Sequence, residues 1–324
     1  MITAIVPVWN NRELLGRLID TLEAQTLAAG ELLVVDNGST DGAPGLARRR
    51  GARVIAMGRN AGFAPAVNRG IREARGEWIA VLNSDVELAP DYFAILAGAD
   101  GWFATGKILQ TGGARIDGTA DAVCRGGTAW RIGSGRPDGP AFSSCCPISS
   151  PPWTAALFRA GLFQRVGYLE ESFESYLEDV DFGLRCAALG LTGVYAPAAV
   201  AWHRGSATLG PWHPATVRRI ARNQVLLLAR HYPARLLWRY AWPIAVAHLL
   251  WGAVALRHGR GFSWLRGKLQ GLGSFRTARR KLPAFDPGLP EHLLANENTI
   301  RQIQASTGFD TYWKLYFLLT GGAQ

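Results

Sequence analysis

Three polar runs, each placed after an apolar stretch, carry most of the chemistry this chain can do. "LLVVDNGSTDG", residues 32–42, ends in Asp36, Asn37, Gly38, Ser39, Thr40 and Asp41. "GRNAGF", residues 58–63, brings Asn60 and Gly62, and "AVLNSDVEL", residues 80–88, brings Asn83, Ser84 and Asp85. One such tip is what a strand-to-helix turn requires, because Asn, Gly, Ser, Thr and Asp are turn and cap formers. Three tips exceed that need. The carboxyl edge of a parallel sheet, where they would gather, is where open α/β folds bind small molecules. Asp36 suits the imide N–H of a uracil or thymine ring, which a carboxylate accepts. Asp85 suits a divalent cation that neutralises a diphosphate, because hard cations take carboxylate oxygens.

A second cluster is "SYLEDVDFGLR", residues 175–185, where Glu178, Asp179 and Asp181 crowd a helix start. Acids there offset the helix dipole, and that role alone accounts for one or two of them. The third goes beyond capping, and like charges this close raise one another's pKa toward the working range of a base. His203 follows an apolar stretch in "AWHRGS". A lone histidine is more often structural. It becomes a natural companion of Asp85 where a metal is already required.

The elements that must position these groups are legible in the first 85 residues. Strands are predicted at 2–8, 32–35, 54–57 and 78–82. Helices are predicted after Asn10 or Asn11, over 42–50 and over 63–74, with Leu14, Leu15, Leu18 and Leu22 forming one apolar stripe. Strands alternating with helices give a parallel, doubly wound sheet with right-handed crossovers. No GxGxxG follows the first strand, which disfavours a dinucleotide site. Residues 111–152 are rich in Gly, Ser and Pro and read as a long loop. A helix is expected from Trp153 to about Arg165, an acid-headed helix ending at Gly190, one or two strands over 193–208, and helices from Thr216 onward.

The chain has 324 residues and a net charge of +10, all of the excess lying in its tail. Residues 1–210 hold 19 basic and 21 acidic side chains, residues 211–324 hold 16 and 4. The two parts are therefore expected to meet different partners. Four cysteines, with no CxxC pair and with Cys145 and Cys146 adjacent, read as reduced thiols of a cytoplasmic protein. The start, "MITAIVPVWNN", lacks the basic region and cleavage site of a signal peptide.

Taken together and in order, "AIVPVWNNRELL", "LLVVDNGSTDG", "GRNAGFAPAVNRGI", "EWIAVLNSDVEL", "VGYLEESFESYLEDVDFGLR" and "YAPAAVAWHRGS" resemble the family 2 inverting glycosyltransferases, in particular their bacterial rhamnosyltransferase-like branch. The pairing of "VVDNGSTDG" with "EDVDFGLR" is the specific part. The resemblance implies a GT-A fold, α/β and Rossmann-like with a mostly parallel doubly wound sheet, here followed by a helical, basic extension. It implies a nucleoside-diphosphate sugar donor, dTDP or UDP, and a divalent cation, Mn²⁺ or Mg²⁺. By resemblance Asp36 reads the nucleobase, Asn37 in the turn after it sits beside the nucleoside, and Pro7, Val8, Asn60, Gly62 and Phe63 line the nucleotide pocket. Asn68 lies near the ribose or sugar, and Asn83 and Ser84 lead into the metal motif. Asp85 is that motif's surviving carboxylate, His203 completes the metal shell, and Asp179 of the Glu178–Asp179 pair is the catalytic base. Two departures stand out. Asn83 occupies the place of the motif's first Asp, leaving one carboxylate for the cation. "SSPPWTAALFRA" departs from the family pattern where the acceptor should bind, so Trp153 either stacks on an acceptor sugar or is a core aromatic.

The expected domains are a catalytic domain over 1–230 and an extension over 231–324. The catalytic domain divides into a donor half, 1–110, and an acceptor and base half, 111–230. In the extension, "LLWRYAWPIAVAHLLWGAVAL", 236–256, is about long enough to span a bilayer. Its Arg239, Pro243 and His248, the Trp residues, and the following arginines favour a helix lying on an anionic membrane surface. The expected reaction is inverting transfer of a sugar, rhamnose favoured over UDP sugars, to a lipid-linked or oligosaccharide acceptor in cell-envelope synthesis. The expected location is the cytoplasm, peripheral at the inner face of the membrane. Nucleic-acid binding leaves the acidic cluster unexplained. A nucleotidyltransferase wants a Gly-rich phosphate loop that "PVWNNREL" does not supply. A non-catalytic sugar-nucleotide binder stays open because of Asn83.

Overall fold

The computed structural model describes residues 1–205, 212–280 and 288–321. The chain divides into two compact units, Met1–Ala120 with Gly133–Thr208, and Asp121–Ile132 with Leu209–Gln324.

The first unit begins β1 (Ile2–Val8), α1 (Arg12–Glu23), β2 (Glu31–Asp36), α2 (Ala43–Arg49), β3 (Arg53–Ala56), α3 (Phe63–Glu73) and β4 (Trp78–Leu82). All seven residues of β1 are buried, as a strand covered on both faces requires. In α1 Leu15, Leu18, Ile19 and Leu22 face the core at helical spacing. β4, β1, β2 and β3 are parallel neighbours, and Val8 pairs with Asp36, so the predicted polar tips share one edge. Then follow β5 (Val86–Leu88), α4 (Tyr92–Ala97), β6 (Phe103–Gln110) and β7 (Ile116–Gly118). After β8 (Asp121–Val123) and β9 (Ala129–Arg131), which belong to the second unit, come β10 (Cys146–Ile148), β11 (Ala155–Arg159), α5 (Gly161–Val166), α6 (Glu178–Ala188) and β12 (Gly193–His203). The sheet runs β10-β12-β6-β11-β4-β1-β2-β3, with β5 on β12 and β7 on β6. Residues 206–208 of the predicted strand stretch lie outside the described residues.

The helix expected from Trp153 is instead a strand and a short helix. β11 inserts antiparallel between β4 and β6, pairing Ala156 with Val81 and with Thr105. "WTAALF" is too short and too uniformly apolar for periodicity to separate strand from helix, and two flanking strand edges decide it. The stretch 111–152, read as a loop, carries β7 to β10. Strands of three residues leave no alternation to detect.

The second unit holds the β8–β9 hairpin and six helices among the described residues: α7 (Pro214–His231), α8 (Ala234–Arg239), α9 (Ala241–Arg257), α10 (Gly261–Arg279), α11 (Leu289–Thr307) and α12 (Thr311–Thr320). The apolar run 236–256 is broken at Tyr240, and among the described residues no helix is long and apolar enough to cross a membrane. Glu297, one of the tail's four acids, is buried and receives the Arg125 N–H and Nε–H, both at 2.8 Å, and the Tyr316 hydroxyl at 2.6 Å. All four cysteines are free thiols.

Candidate active site

The end of β2 presents Asp36, whose Oδ1 accepts the Ser39 N–H at 2.9 Å and so closes the turn that follows the strand. Pro7 and Val8 lie buried on the adjacent strand, and the Val8 carbonyl accepts the Asn37 N–H at 2.8 Å. The side chain of Asn37 is occupied in holding the next tip. It donates to the Gly62 carbonyl at 3.0 Å and accepts the Ala61 N–H at 3.3 Å. Asn60 Oδ1 in turn accepts the Gly62 N–H at 3.1 Å.

Gly62 has φ +99, and a Cβ there would stand 2.8 Å from the Glu174 carbonyl oxygen. That close approach lets Glu174 accept the Ala64 N–H at 2.9 Å, while Ser175 Oγ accepts the Phe63 N–H at 3.2 Å. The N-terminus of α3 is thus capped by the segment that leads into the acidic helix. Glu174, Tyr176 and Leu177 all have positive φ, a costly conformation for residues with a side chain, immediately before Glu178 and Asp179. Asn68 fastens the same segment from below: its amide donates to the Leu169 carbonyl and Glu171 Oε1 and accepts the Leu169 N–H. At 1% exposure Asn68 is a buried latch, not a group facing an open pocket.

Glu178 and Asp179 open α6, both buried, and Asp179 Oδ1 accepts the Val180 N–H at 2.9 Å. The third acid has a separate task. Asp181 is fully buried and bonds Arg185 Nε at 3.0 Å, and Arg185 also donates to the Val166 and Tyr168 carbonyls. Through Arg185 it anchors the helix.

The end of β4 delivers Asn83, whose N–H donates to the Thr154 carbonyl at 2.9 Å, then buried Ser84 and Asp85. β5 pairs antiparallel with β12, placing Val86 opposite His203. His203 Nε2 consequently lies 3.2 Å from Asp85 Oδ1. Nδ1 lies 3.0 Å from Asp117 Oδ2, on β7. Burial disfavours the charged imidazole, but hydrogen bonds to Asp117 and Asp85, with their charges, outweigh it and push the His203 pKa up to about 9. Sequence reasoning missed Asp117, because it sits in a three-residue strand inside a stretch without periodicity.

These donors fit a divalent cation. Two cis ligands of an octahedral ion with bonds of about 2.1 Å stand about 3.0 Å apart, close to the observed Asp85–His203 separation. Among the described residues no three acids, histidines or cysteines converge as a complete shell. Asp117 faces the far nitrogen of the ring, so Asp85 and His203 are the two side chains here that would hold the ion.

Trp153 is 2% exposed and packs against Phe158, Phe163 and Phe182 at centroid distances of 4.6, 6.2 and 5.0 Å. Of its two readings, the core aromatic is the one its packing matches, and the ring is not presented to an acceptor.

The family model for glycosyl transferase family 2 matches residues 3–101, and that for glycosyl transferase family group 2 matches residues 78–267. The N-acetylglucosaminyl-diphospho-decaprenol L-rhamnosyltransferase of Mycobacterium tuberculosis is 29% identical over 297 residues, covering 82% of this chain and 92% of the relative. Among solved structures, GalNAc-T7 with UDP, GalNAc and Mn²⁺ aligns with a TM-score of 0.62 at 12% identity over 95% of this chain. This chain spans only 58% of that longer one. The mannosyltransferase PcManGT from Pyrobaculum calidifontis, in complex with GDP-Man and Mn²⁺, aligns at 0.51 and 17% identity, covering 98% of this chain and 86% of that one. Both likenesses are of fold.

Proposed function

This chain belongs to glycosyltransferase family 2, on its rhamnosyltransferase-like branch, with the GT-A fold, and from that premise we propose that it is an inverting, metal-dependent enzyme of cell-envelope polysaccharide synthesis. The donor is a nucleoside-diphosphate sugar, dTDP-rhamnose before UDP sugars. The acceptor is a lipid-linked saccharide, of the polyprenyl-diphosphate class that the mycobacterial relative's name describes.

The observation that carries the reading is the meeting of Asp85 and His203. Two groups from distant strands stand at cis-ligand separation, at the sheet edge that also bears Asp36. Asp36 accepts the imide N–H of the base, and Asn60 to Phe63 wall the pocket. The Asp179 carboxylate takes the proton of an acceptor hydroxyl, and the freed oxygen attacks the anomeric carbon on the face opposite the diphosphate, which inverts its configuration. Asp85 and His203 would hold a divalent cation, which would supply positive charge to offset that growing on the departing diphosphate. Glu178 adds negative charge beside Asp179. The strained turn at 174–177 fixes the direction in which α6 presents both.

The second unit supports a surface role. α9 exposes Trp242, Leu249 and Leu256, seven residues apart and so on one face, and α10 exposes Phe262, Leu265, Leu269 and Leu272. Arg257 ends α9 and Arg260 precedes α10, and the described residues of α7 to α10 contain no acid. Apolar stripes bordered by arginine fit an anionic bilayer surface at the inner face of the membrane, which brings the enzyme to a lipid-linked acceptor.

The test is thermal stabilisation by nucleoside diphosphates and their sugars, with and without Mn²⁺ or Mg²⁺, since a ligand that binds only the folded state raises Tm. Metal-dependent stabilisation by a dTDP or UDP species is expected. Stabilisation that ignores the metal would remove the metal role. Tight binding with no turnover would favour the non-catalytic alternative that Asn83 leaves open.

A further inference from the structure

We propose that Asp117 is a positioning residue of the metal site, holding His203 so that Nε2 faces the cation; this rests on the metal-dependent reading above. Three strands build the arrangement. β6 lies between β12 and β7, pairing Gln110 with His203 on one side and Leu109 with Ile116 on the other. Asp117 therefore reaches across β6 to the imidazole, and its Oδ2 stands 3.0 Å from Nδ1. Both side chains are largely buried, 10% exposed for His203 and 17% for Asp117, which shields the bond from water. The opposite nitrogen points at Asp85.

A carboxylate on one imidazole nitrogen does two things for the other. It keeps the proton on Nδ1, which leaves the Nε2 lone pair for a metal, and it locks the ring plane and raises the basicity of the donor atom. This matters more here than in a site rich in carboxylates. Asn83 stands where a second acid would help, so the cation has one protein carboxylate and one imidazole, and the quality of the imidazole as a ligand carries a larger share of the affinity. Among the described residues, the packing of Asp117 against Nδ1 is the feature that supplies that quality.

The experiment is Mn²⁺ binding by calorimetry on the full chain with a saturating nucleoside diphosphate, for Asp117→Ala, Asp117→Asn, His203→Ala and the Asp117→Ala/His203→Ala double variant. Metal-free nucleotide binding and the Tm of the metal-free protein serve as controls for a merely structural effect. Asp117→Ala is expected to weaken Mn²⁺ binding 10- to 100-fold, with metal-free nucleotide binding unchanged. Asp117→Asn, which still accepts from Nδ1–H without the charge, should fall between wild type and Asp117→Ala, and it remains informative if the alanine variant folds poorly. In the double variant the Asp117 effect should vanish, because the residue acts through His203. If His203→Ala loses Mn²⁺ and the Asp117 variants stay within twofold of wild type, the inference falls and the metal reading stands. If the double variant loses the sum of both effects, Asp117 does not act through His203 and the inference also falls. If His203→Ala leaves Mn²⁺ affinity unchanged, the metal reading itself fails and takes the inference with it.

Discussion

Asp179 and Asp181 lie two residues apart on α6, yet their surroundings give them different work. Asp181 is enclosed and pairs with Arg185, while Asp179 stands in the first turn of the helix beside Glu178, its Oδ1 accepting the Val180 N–H. Changing Asp179 to Asn removes proton acceptance and keeps shape. Turnover should fall by at least about 10²-fold, the usual worth of a general base, while donor affinity by calorimetry stays within about twofold. Loss of donor binding in equal measure would mean that Asp179 holds the nucleotide sugar and is not the base. At this scale the sequence was informative about identity and poor about partners. Asp36, Asp85, Glu178, Asp179 and His203 were singled out from type and spacing, and they form the proposed site. That Asn68 is a buried latch and Trp153 a core ring was not, because an amide or an indole looks the same in sequence whether it faces a ligand or a protein neighbour.

Among the elements, the joint between α3 and the 174–177 turn transmits most. The Ala64 N–H donates to the Glu174 carbonyl and the Phe63 N–H to Ser175 Oγ, which ties the loop at 58–63 to the entry of α6. A Gly62→Ala variant puts a methyl group against the Glu174 carbonyl at a backbone angle alanine resists. It should cost about 1–3 kcal/mol in denaturant unfolding and raise the donor KM, because the loop must retreat from its partner. Wild-type stability would show that the joint is looser than its geometry. In the second unit, Lys268 of α10 is buried against Gln224 Oε1 at 2.7 Å and His248 Nδ1 at 2.6 Å, with no carboxylate among these partners. Burial pushes its pKa from the ordinary 10.5 down to about 7. Burial and the nearby Lys268 hold His248 well below 6.5, so it stays neutral and accepts. Between about pH 7 and 10.5 the unfolded chain therefore binds more protons than the folded one. Stability should rise with pH across that window, at a limiting slope of roughly 1.4 kcal/mol per pH unit, with the full penalty present below pH 7. Lys268→Met should flatten this slope in urea titrations run from pH 6 to 10. An unchanged slope would assign the dependence to other groups.

At the scale of the molecule, one compact unit holds the residues of the proposed site and another holds the excess of basic side chains. The exposed stripes of α9 and α10 predict that the full chain binds vesicles containing anionic lipid and releases them at high salt. A variant carrying Leu249→Ser, Leu256→Ser and Phe262→Ser, all at exposed positions, should lose about tenfold or more in vesicle affinity, since each large apolar side chain withdrawn from the interface forfeits about 1.5–3 kcal/mol at full burial. Retained vesicle binding with intact folding would discard the membrane role for these helices. By itself the sequence determined the parallel half of the sheet and the groups along its edge. Hydrophobic period and turn chemistry are local properties, and β1 to β4 with α1 to α3 follow them closely. It also determined the division of charge between the two units, which is composition alone. Tertiary structure decided what depends on distant strands meeting. β11 became a strand because β4 and β6 offered it two edges. The hairpin 121–132 joined the C-terminal helices because Arg125 supplies the partner that buried Glu297 requires. Asp117 met His203 because β6 runs between their strands, and a carboxylate 86 residues away in sequence gives no local sign that it will stand against an imidazole ring.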